Sequence, residues 1–221
     1  MSRTVLVISP HPDDEAIGCG GTIRRHVLAG DRVRVVFLTS GEKGGHGRSA
    51  DETVRVRERE ARAAAVILGL DPARDLEFWR LPDGAVRATA SAVARLRALV
   101  IDLRPATVYV PHDAESHPDH RAAARMVGRA VSAARPKAAR PDVLMYEVWT
   151  PTARLDHIED VTAHMPAKLR AIRAYKSQCA VVDFVEAMKG LARYRGEMHS
   201  WPEGEYAEVF TRLSGSGRKM R

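Results

Sequence analysis

Only two cysteines, Cys19 and Cys179, occur among 221 residues. Two thiols cannot build the disulfide framework of a small secreted scaffold; they fit free thiols in a reducing compartment. Aromatic residues make up 5% of the chain, and no basic patch is interleaved with them as a nucleic-acid surface requires. No apolar run reaches the roughly 20 residues that cross a bilayer. The opening MSRTVLVIS lacks the longer apolar core and small-residue cleavage site of a signal peptide, so a cytoplasmic location is expected. There is no internal repeat and no linker of biased composition. One domain over residues 1–213 is expected, followed by a mobile basic tail over 214–221 (SGSGRKMR).

What the chain does have is charge, with 35 Lys and Arg against 28 Asp and Glu and a net charge of +7. A non-catalytic basic protein that binds nucleic acid is one reading of that excess, and it predicts salt-dependent binding without a metal. The basic residues are dispersed, however, and stretches such as REREARAAAV alternate Glu with Arg, the pattern of a solvated helix face. Neither a nucleic-acid nor a membrane partner is expected. The oligomeric state is open, and a homo-oligomer is compatible with the chain.

Apolar runs alternate with helical patterns. Strands are expected at Val5–Ser9, Val33–Thr39, Leu76–Trp79, Thr107–Val110 and Val143–Val148, with shorter ones at Ile158–Val161 and Glu205–Phe210. Helices are expected at Ala16–Ala29, Glu52–Leu68, Ser91–Leu103 and Pro118–Ala134, and one begins at Pro166–Tyr175. Ser40–Asp51 and Arg135–Asp142 read as loops. The alternation predicts an α/β fold, Rossmann-like, with a mainly parallel sheet flanked by helices. Ligands in such folds collect at the carboxyl ends of the strands.

The stretch SPHPDDEAIGCGGT, Ser9–Thr22, stands at one of those ends. Its glycines invite a dinucleotide reading, but the G-x-G-x-x-G pattern counted from Gly18 meets Ile23 where the third glycine belongs. Carboxylates beside a pyrophosphate would also repel it. A metal accounts for the charges better. His11 and Asp14 are three apart on a strand-to-helix turn, and an imidazole with a carboxylate suits Zn²⁺, Fe²⁺ or a similar ion. A second cluster, Ser116-His117-Pro118-Asp119-His120, follows the strand Thr107–Val110. Both clusters then lie at one edge of the sheet, with His117 and His120 able to face one point. Asp13 and His117 could each be plain helix caps. Cys19 reads as a small packing residue, and His26, His157, His164 and His199 as surface or ordinary polar residues.

HPDDEAIGCGG with a downstream HPDH resembles the LmbE/PIG-L family of zinc-dependent N-deacetylases. The resemblance extends to Thr39-Ser40-Gly41-Glu42, to Arg57–Glu60 with Leu68-Gly69, to Asp83-Gly84, to Tyr175–Gln178 and to Tyr206–Phe210. It implies that His11, Asp14 and His120 bind the metal, with Zn²⁺ expected and Fe²⁺ or another divalent ion as alternatives. It implies that Asp13 is the general base and then proton donor, and that His117, as imidazolium, stabilises the developing oxyanion. Asp119 would orient a histidine, and Glu15 would cap the helix or hold a ligand. Some members carry a Tyr just before HPDH; here Asp113–Ser116 has none. Arg57, matching the family's RxxE arginine, would bind sugar hydroxyls with its fork of donors, and Asp83 would accept from hydroxyls. Their plainer readings are an Arg57–Glu60 helix pair and a Pro-Asp-Gly turn. The expected activity is metal-dependent removal of an acetyl group from an N-acetylated amino sugar, such as an N-acetylglucosaminyl conjugate or an antibiotic intermediate. An amidase acting on an amino-sugar thiol conjugate is the alternative.

Overall fold

Val5 and Val7 face one side of strand β1 (Thr4–Ser9) and pack with Val33, Val35, Phe37 and Tyr146. Leu6 and Ile8 face the other side and pack with Val36, Val108, Val110 and Met145. This two-sided burial is why the strand reads as a continuous apolar run instead of alternating with polar residues. In this computed structural model, which describes residues 2–134, 140–199 and 204–214, β1 lies inside a seven-stranded sheet. The others are β2 (Arg32–Phe37), β3 (Leu76–Phe78), β4 (Thr107–Pro111), β5 (Asp142–Tyr146), β6 (His157–Asp160) and β7 (Ala207–Arg212). Their order is β3-β2-β1-β4-β5-β7-β6. The first five are parallel, while β7 runs antiparallel to β5, and β6 to β7.

Helices α1 (Asp14–Leu28), α2 (Ala50–Leu68) and α6 (Met165–Ala174) cover the first face, joined by α8 (Phe184–His199). Helices α4 (Ala90–Leu103) and α5 (Pro118–Ala134) cover the second. Two short turns of helix, α3 (Pro72–Asp75) and α7 (Lys176–Cys179), complete the set. Among the described residues no helix is long and apolar enough to cross a membrane.

Local chemistry sets the boundaries. Ser49 caps α2 by accepting from the Glu52 N–H while Glu52 reaches back to the Ser49 N–H, a reciprocal capping box. Gly69 ends α2 in the left-handed conformation expected of a C-terminal glycine. Strand β5 stops two residues before the expected Val148, because Glu147 and Val148 turn away into the loop that lines the site. Helix α8 was not expected at all. Gly190 and Gly196 dilute its helical signal, yet Gly196 is where the helix touches the backbone of Glu205 and Tyr206, leaving no room for a Cβ. Positions 135–139 of the expected loop and 215–221 of the expected tail lie outside the described residues.

Helix α1 is kinked at Cys19, which leaves helical geometry at φ −143°. Gly18 sits against the Tyr146 ring so closely that any side chain would collide with it. Close packing of α1 on the sheet is thus what this glycine run serves. The kink frees backbone donors, and Glu208 takes them, accepting from the N–H of Gly21 at 2.9 Å and of Thr22 at 2.8 Å. The Lys168 ammonium closes the charge at 2.6 Å, with both side chains buried.

Candidate active site

Strands β1 and β4 are neighbours at the centre of the sheet and end at the same edge. The turn after β1 carries His11, Asp13 and Asp14 into the start of α1. The turn after β4 carries His117 and, one turn into α5, His120. The two clusters therefore meet although they are more than a hundred residues apart. His11 Nδ1 lies 3.1 Å from Asp14 Oδ2, His120 Nε2 lies 3.2 Å from the same oxygen, and the two nitrogens are 3.4 Å apart. Three donors each about 2.0–2.2 Å from one tetrahedral ion would stand roughly 3.3–3.5 Å apart, so this triangle has the dimensions of a three-ligand metal face.

Other donors converge nearby: His11 groups with His117 and His120, and also with Asp83 and Asp119. The second group serves the far side of the imidazole. His11 Nε2 is 3.1 Å from Asp83 Oδ1 and 3.3 Å from Asp119 Oδ2, which orients the ring and leaves Nδ1 for the triangle. Asp119 is itself fixed by the N–H groups of Gly84 and Val86, and Asp83 by that of Lys43 at 2.9 Å. Burial alone would depress the His11 and His120 imidazoles. The carboxylates outweigh it, raising His11 well above its ordinary range and His120 to about 9. Asp14 is held far below the usual range: burial opposes ionisation, but His120 and His11 win. These carboxylates demand positive charge, which a divalent cation in the triangle would supply in place of imidazolium protons.

Asp13 occupies the N-cap position of α1 but makes no cap hydrogen bond with its side chain. Its φ of 133° is strained for a non-glycine residue. The carboxylate instead faces the pocket and accepts from Arg57 Nη2 at 2.9 Å. Burial, with help from the Asp14 charge, raises Asp13 to about 7 against the pull of Arg57 and the two imidazoles. Its backbone N–H donates to Glu15 Oε2 at 3.2 Å. Glu15 thus accepts the N–H of the N-cap residue of α1 and lies outside the triangle. It accepts from the Tyr175 hydroxyl and from Ser9 Oγ, and burial raises it to about 8.

Arg57, expected at the substrate, lines the pocket. Nη2 also donates to Pro12 O at 2.6 Å and Nη1 to Gly41 O at 3.1 Å, so the fork clasps the two loops around Asp13. Arg57 does not pair with Glu60, which binds Ser177 through its N–H and hydroxyl. His117 lines the pocket, its ring 4.7 Å from that of His11 and 4.9 Å from that of His120. Its Nδ1 accepts the Asp119 N–H at 3.2 Å, which leaves the proton on Nε2. Burial and the charges on His11 and His120 depress it. Nε2 is thus the nitrogen free to donate towards the pocket.

One residue of the site was not singled out in the sequence. Glu115 is buried, and its Oε1 accepts from the N–H of Val148 at 2.7 Å, Trp149 at 3.0 Å and Thr150 at 3.3 Å. Its Oε2 faces His120 Nδ1 at 3.7 Å, and neither atom has a hydrogen-bond partner among the described residues. The available signal was an acidic residue two places before HPDH. His26, read as a surface or ordinary polar residue, is a buried polar one, between Asp31 (2.8 Å) and the Tyr109 hydroxyl (3.0 Å).

A buried carboxylate–imidazole triangle opens onto a cavity of about 320 Å³ lined by Asp13, Arg57 and His117. Together with the mainly parallel sheet, it defines an α/β protein with a candidate mononuclear metal site at the carboxyl edge. The chain belongs to the GlcNAc-PI de-N-acetylase (PIG-L) family, whose model matches residues 6–131, more than half its length. It is 32% identical to a diacetylchitobiose deacetylase of Thermococcus kodakarensis, over 91% of this chain and 82% of that one. It is 31% identical to a 1D-myo-inositol 2-acetamido-2-deoxy-alpha-D-glucopyranoside deacetylase of Mycolicibacterium smegmatis, over 81% of each. Among solved structures, the 4-carboxy-2-hydroxymuconate hydratase GalB of Pseudomonas putida superposes with a TM-score of 0.85 at 24% identity, covering 99% of this chain and 98% of that one. That likeness shows the fold alone, and a fold shared with a hydratase does not choose the reaction.

Proposed function

We propose that this chain is a metal-dependent hydrolase that removes the acetyl group from an N-acetylated amino sugar. The observation that carries the reading is the placement of Asp13, strained, buried and held by Arg57, directly beside the His11–Asp14–His120 triangle at the floor of an open pocket. Relatives named as deacetylases of acetylated glucosamine compounds support the substrate class. His11, Asp14 and His120 would hold one divalent cation, with Zn²⁺ favoured by this nitrogen and oxygen donor set, which when bound would supply Lewis acidity and lower the pKa of water.

The remaining chemistry belongs to the chain. Asp13 takes a proton from the attacking water as the new C–O bond forms at the amide carbonyl. The same proton passes to the nitrogen as the C–N bond breaks, giving acetate and a free amine. His117 donates from Nε2–H to the carbonyl oxygen as negative charge develops there. Asp83 and Asp119 hold His11, and Arg57 holds Asp13. That leaves the Gly41–Arg48 loop, whose Lys43 and His46 line the pocket, as the support for the sugar ring.

The test is chemical. Metal-loaded protein is incubated with a panel of N-acetylglucosaminyl compounds, and amine and acetate are both quantified. Equal release of the two, stopped by a chelator and restored by Zn²⁺, is expected. No release from any member of the panel rejects the reading.

A further inference from the structure

The pocket has two unlike walls, and strand order sets them apart. The central strands β1 and β4 deliver the triangle. The loops after β2 and β3, on one side, bring Lys43, His46 and Asp83. The loop after β5, on the other side, brings Val148 and Trp149. The segment from α7 into α8 adds Val181, Val182 and Phe184, and α1 adds Ile17. This second wall is apolar except at Gln178 of α7, whose amide donates to Gly44 O on the facing loop.

Trp149 is 49% exposed and Val181 54% exposed. Single exposed apolar residues scattered over a surface need no explanation, but these two flank one cavity. Trp149 is also held in place. Its own N–H and those of both neighbours converge on Glu115 Oε1. Its ring meets the Phe184 ring at 5.4 Å and 68°, edge to face. A ring fixed in position and still half open has little freedom left to lose when a ligand packs against it.

We infer that this wall is a subsite for an apolar group carried by the substrate, an aromatic ring or a hydrocarbon chain attached to the amino sugar. That group packs on Trp149 and Val181 while the sugar lies against the polar wall. The inference rests on the deacetylase reading above and narrows its substrate class: a wholly polar aglycone leaves both side chains in water.

Two N-acetylglucosaminides differing only in the aglycone, phenyl or 2,3-dihydroxypropyl, provide the test. The ratio of their kcat/KM values is expected to favour the phenyl compound by about tenfold or more, the scale of a well-filled apolar pocket. Trp149→Ala and Val181→Lys bring the ratio towards one, mainly through KM, with circular dichroism and metal content retained. Trp149→Phe keeps most of the preference. Val181 is exposed, so its variant folds even where the tryptophan variant does not. A native ratio near one, or a ratio that neither variant moves, overturns the subsite. So does the finding that both variants dissociate a native oligomer without moving the ratio, since a second copy of the chain then covers the wall. Calorimetric titration of both glycosides separates the two claims. Equal affinities overturn the subsite whatever the turnover; selective, variant-sensitive binding of the phenyl compound without acetate release upholds the subsite and rejects the deacetylase reading.

Discussion

Arg57 Nη2 donates to Asp13 Oδ2 across 2.9 Å, and both side chains are buried. The helix that carries Arg57 lies 44 positions along the chain from Asp13, and the same guanidinium also reaches Pro12 O and Gly41 O. It fixes where the carboxylate points and lowers the proton affinity that burial raises. Arg57→Ala removes that cation, so the Asp13 pKa rises and the ionised base appears only at higher pH. The acidic limb of the kcat/KM profile moves up, and activity at neutral pH falls by about tenfold or more. A pH profile checks the sign: partial recovery at alkaline pH is expected, and a uniform loss at every pH would show that Arg57 acts otherwise. Asp13→Asn should cost roughly a hundredfold or more at all pH values with metal retained.

The triangle makes a different demand. Chelation should abolish turnover without unfolding the chain, because the sheet is held by two apolar clusters that do not include the triangle. His120→Ala leaves two donors in place of three. Metal content by mass spectrometry and activity should fall together, and full occupancy in that variant would remove His120 from the donor set.

Both clusters were legible because their chemistry is concentrated within a few residues of a strand end, where a local reading reaches. The partners were not, since sequence spacing carries no sign of them. For Arg57 the sequence shows a fork of donors but not that these donors reach Asp13, Pro12 O and Gly41 O. The short family motifs turn out to be one another's partners: Tyr175 binds Glu15, Ser177 binds Glu60, and Glu208 binds the kink of α1. The parallel sheet followed from alternation of strand and helix. The antiparallel edge did not, since nothing local to β6 or β7 states which neighbour each will join or in which direction.

Glu115 links the triangle to the pocket wall, so its loss should be felt at both. Glu115→Gln keeps an acceptor for the three N–H groups and removes the charge facing His120 Nδ1. Metal affinity should drop about tenfold to a hundredfold, the usual cost of losing a carboxylate behind a ligating histidine. Competition with a metal-binding dye measures it directly. Glu115→Ala should further loosen the Val148–Thr150 segment, read as faster hydrogen exchange there and a raised KM. Unchanged metal affinity in both variants would mean that His120 is oriented by its helix alone.

The kink in α1 sets the direction from which Asp14 and its neighbours enter the site, and the buried Lys168–Glu208 pair holds it. Glu208 accepts from two backbone N–H groups, from Thr22 Oγ1 at 2.6 Å and from Lys168 at 2.6 Å. Lys168→Met leaves the carboxylate with its hydrogen bonds but without a cation, in surroundings that solvate charge poorly. Breaking one side of such a pair costs about 3–5 kcal/mol. For a chain of this length that corresponds to a fall in Tm of roughly 10 °C. Replacing Glu208 with Gln in the same chain removes the stranded charge but keeps an acceptor for only one of the two N–H groups, which go to different oxygens. The buried charge is the larger penalty, so the double variant should be more stable than Lys168→Met alone. Thermal unfolding of the two variants against the native protein decides it. A double variant that melts below the single one would show that the kink needs both acceptor oxygens of Glu208 more than it needs relief of the stranded charge.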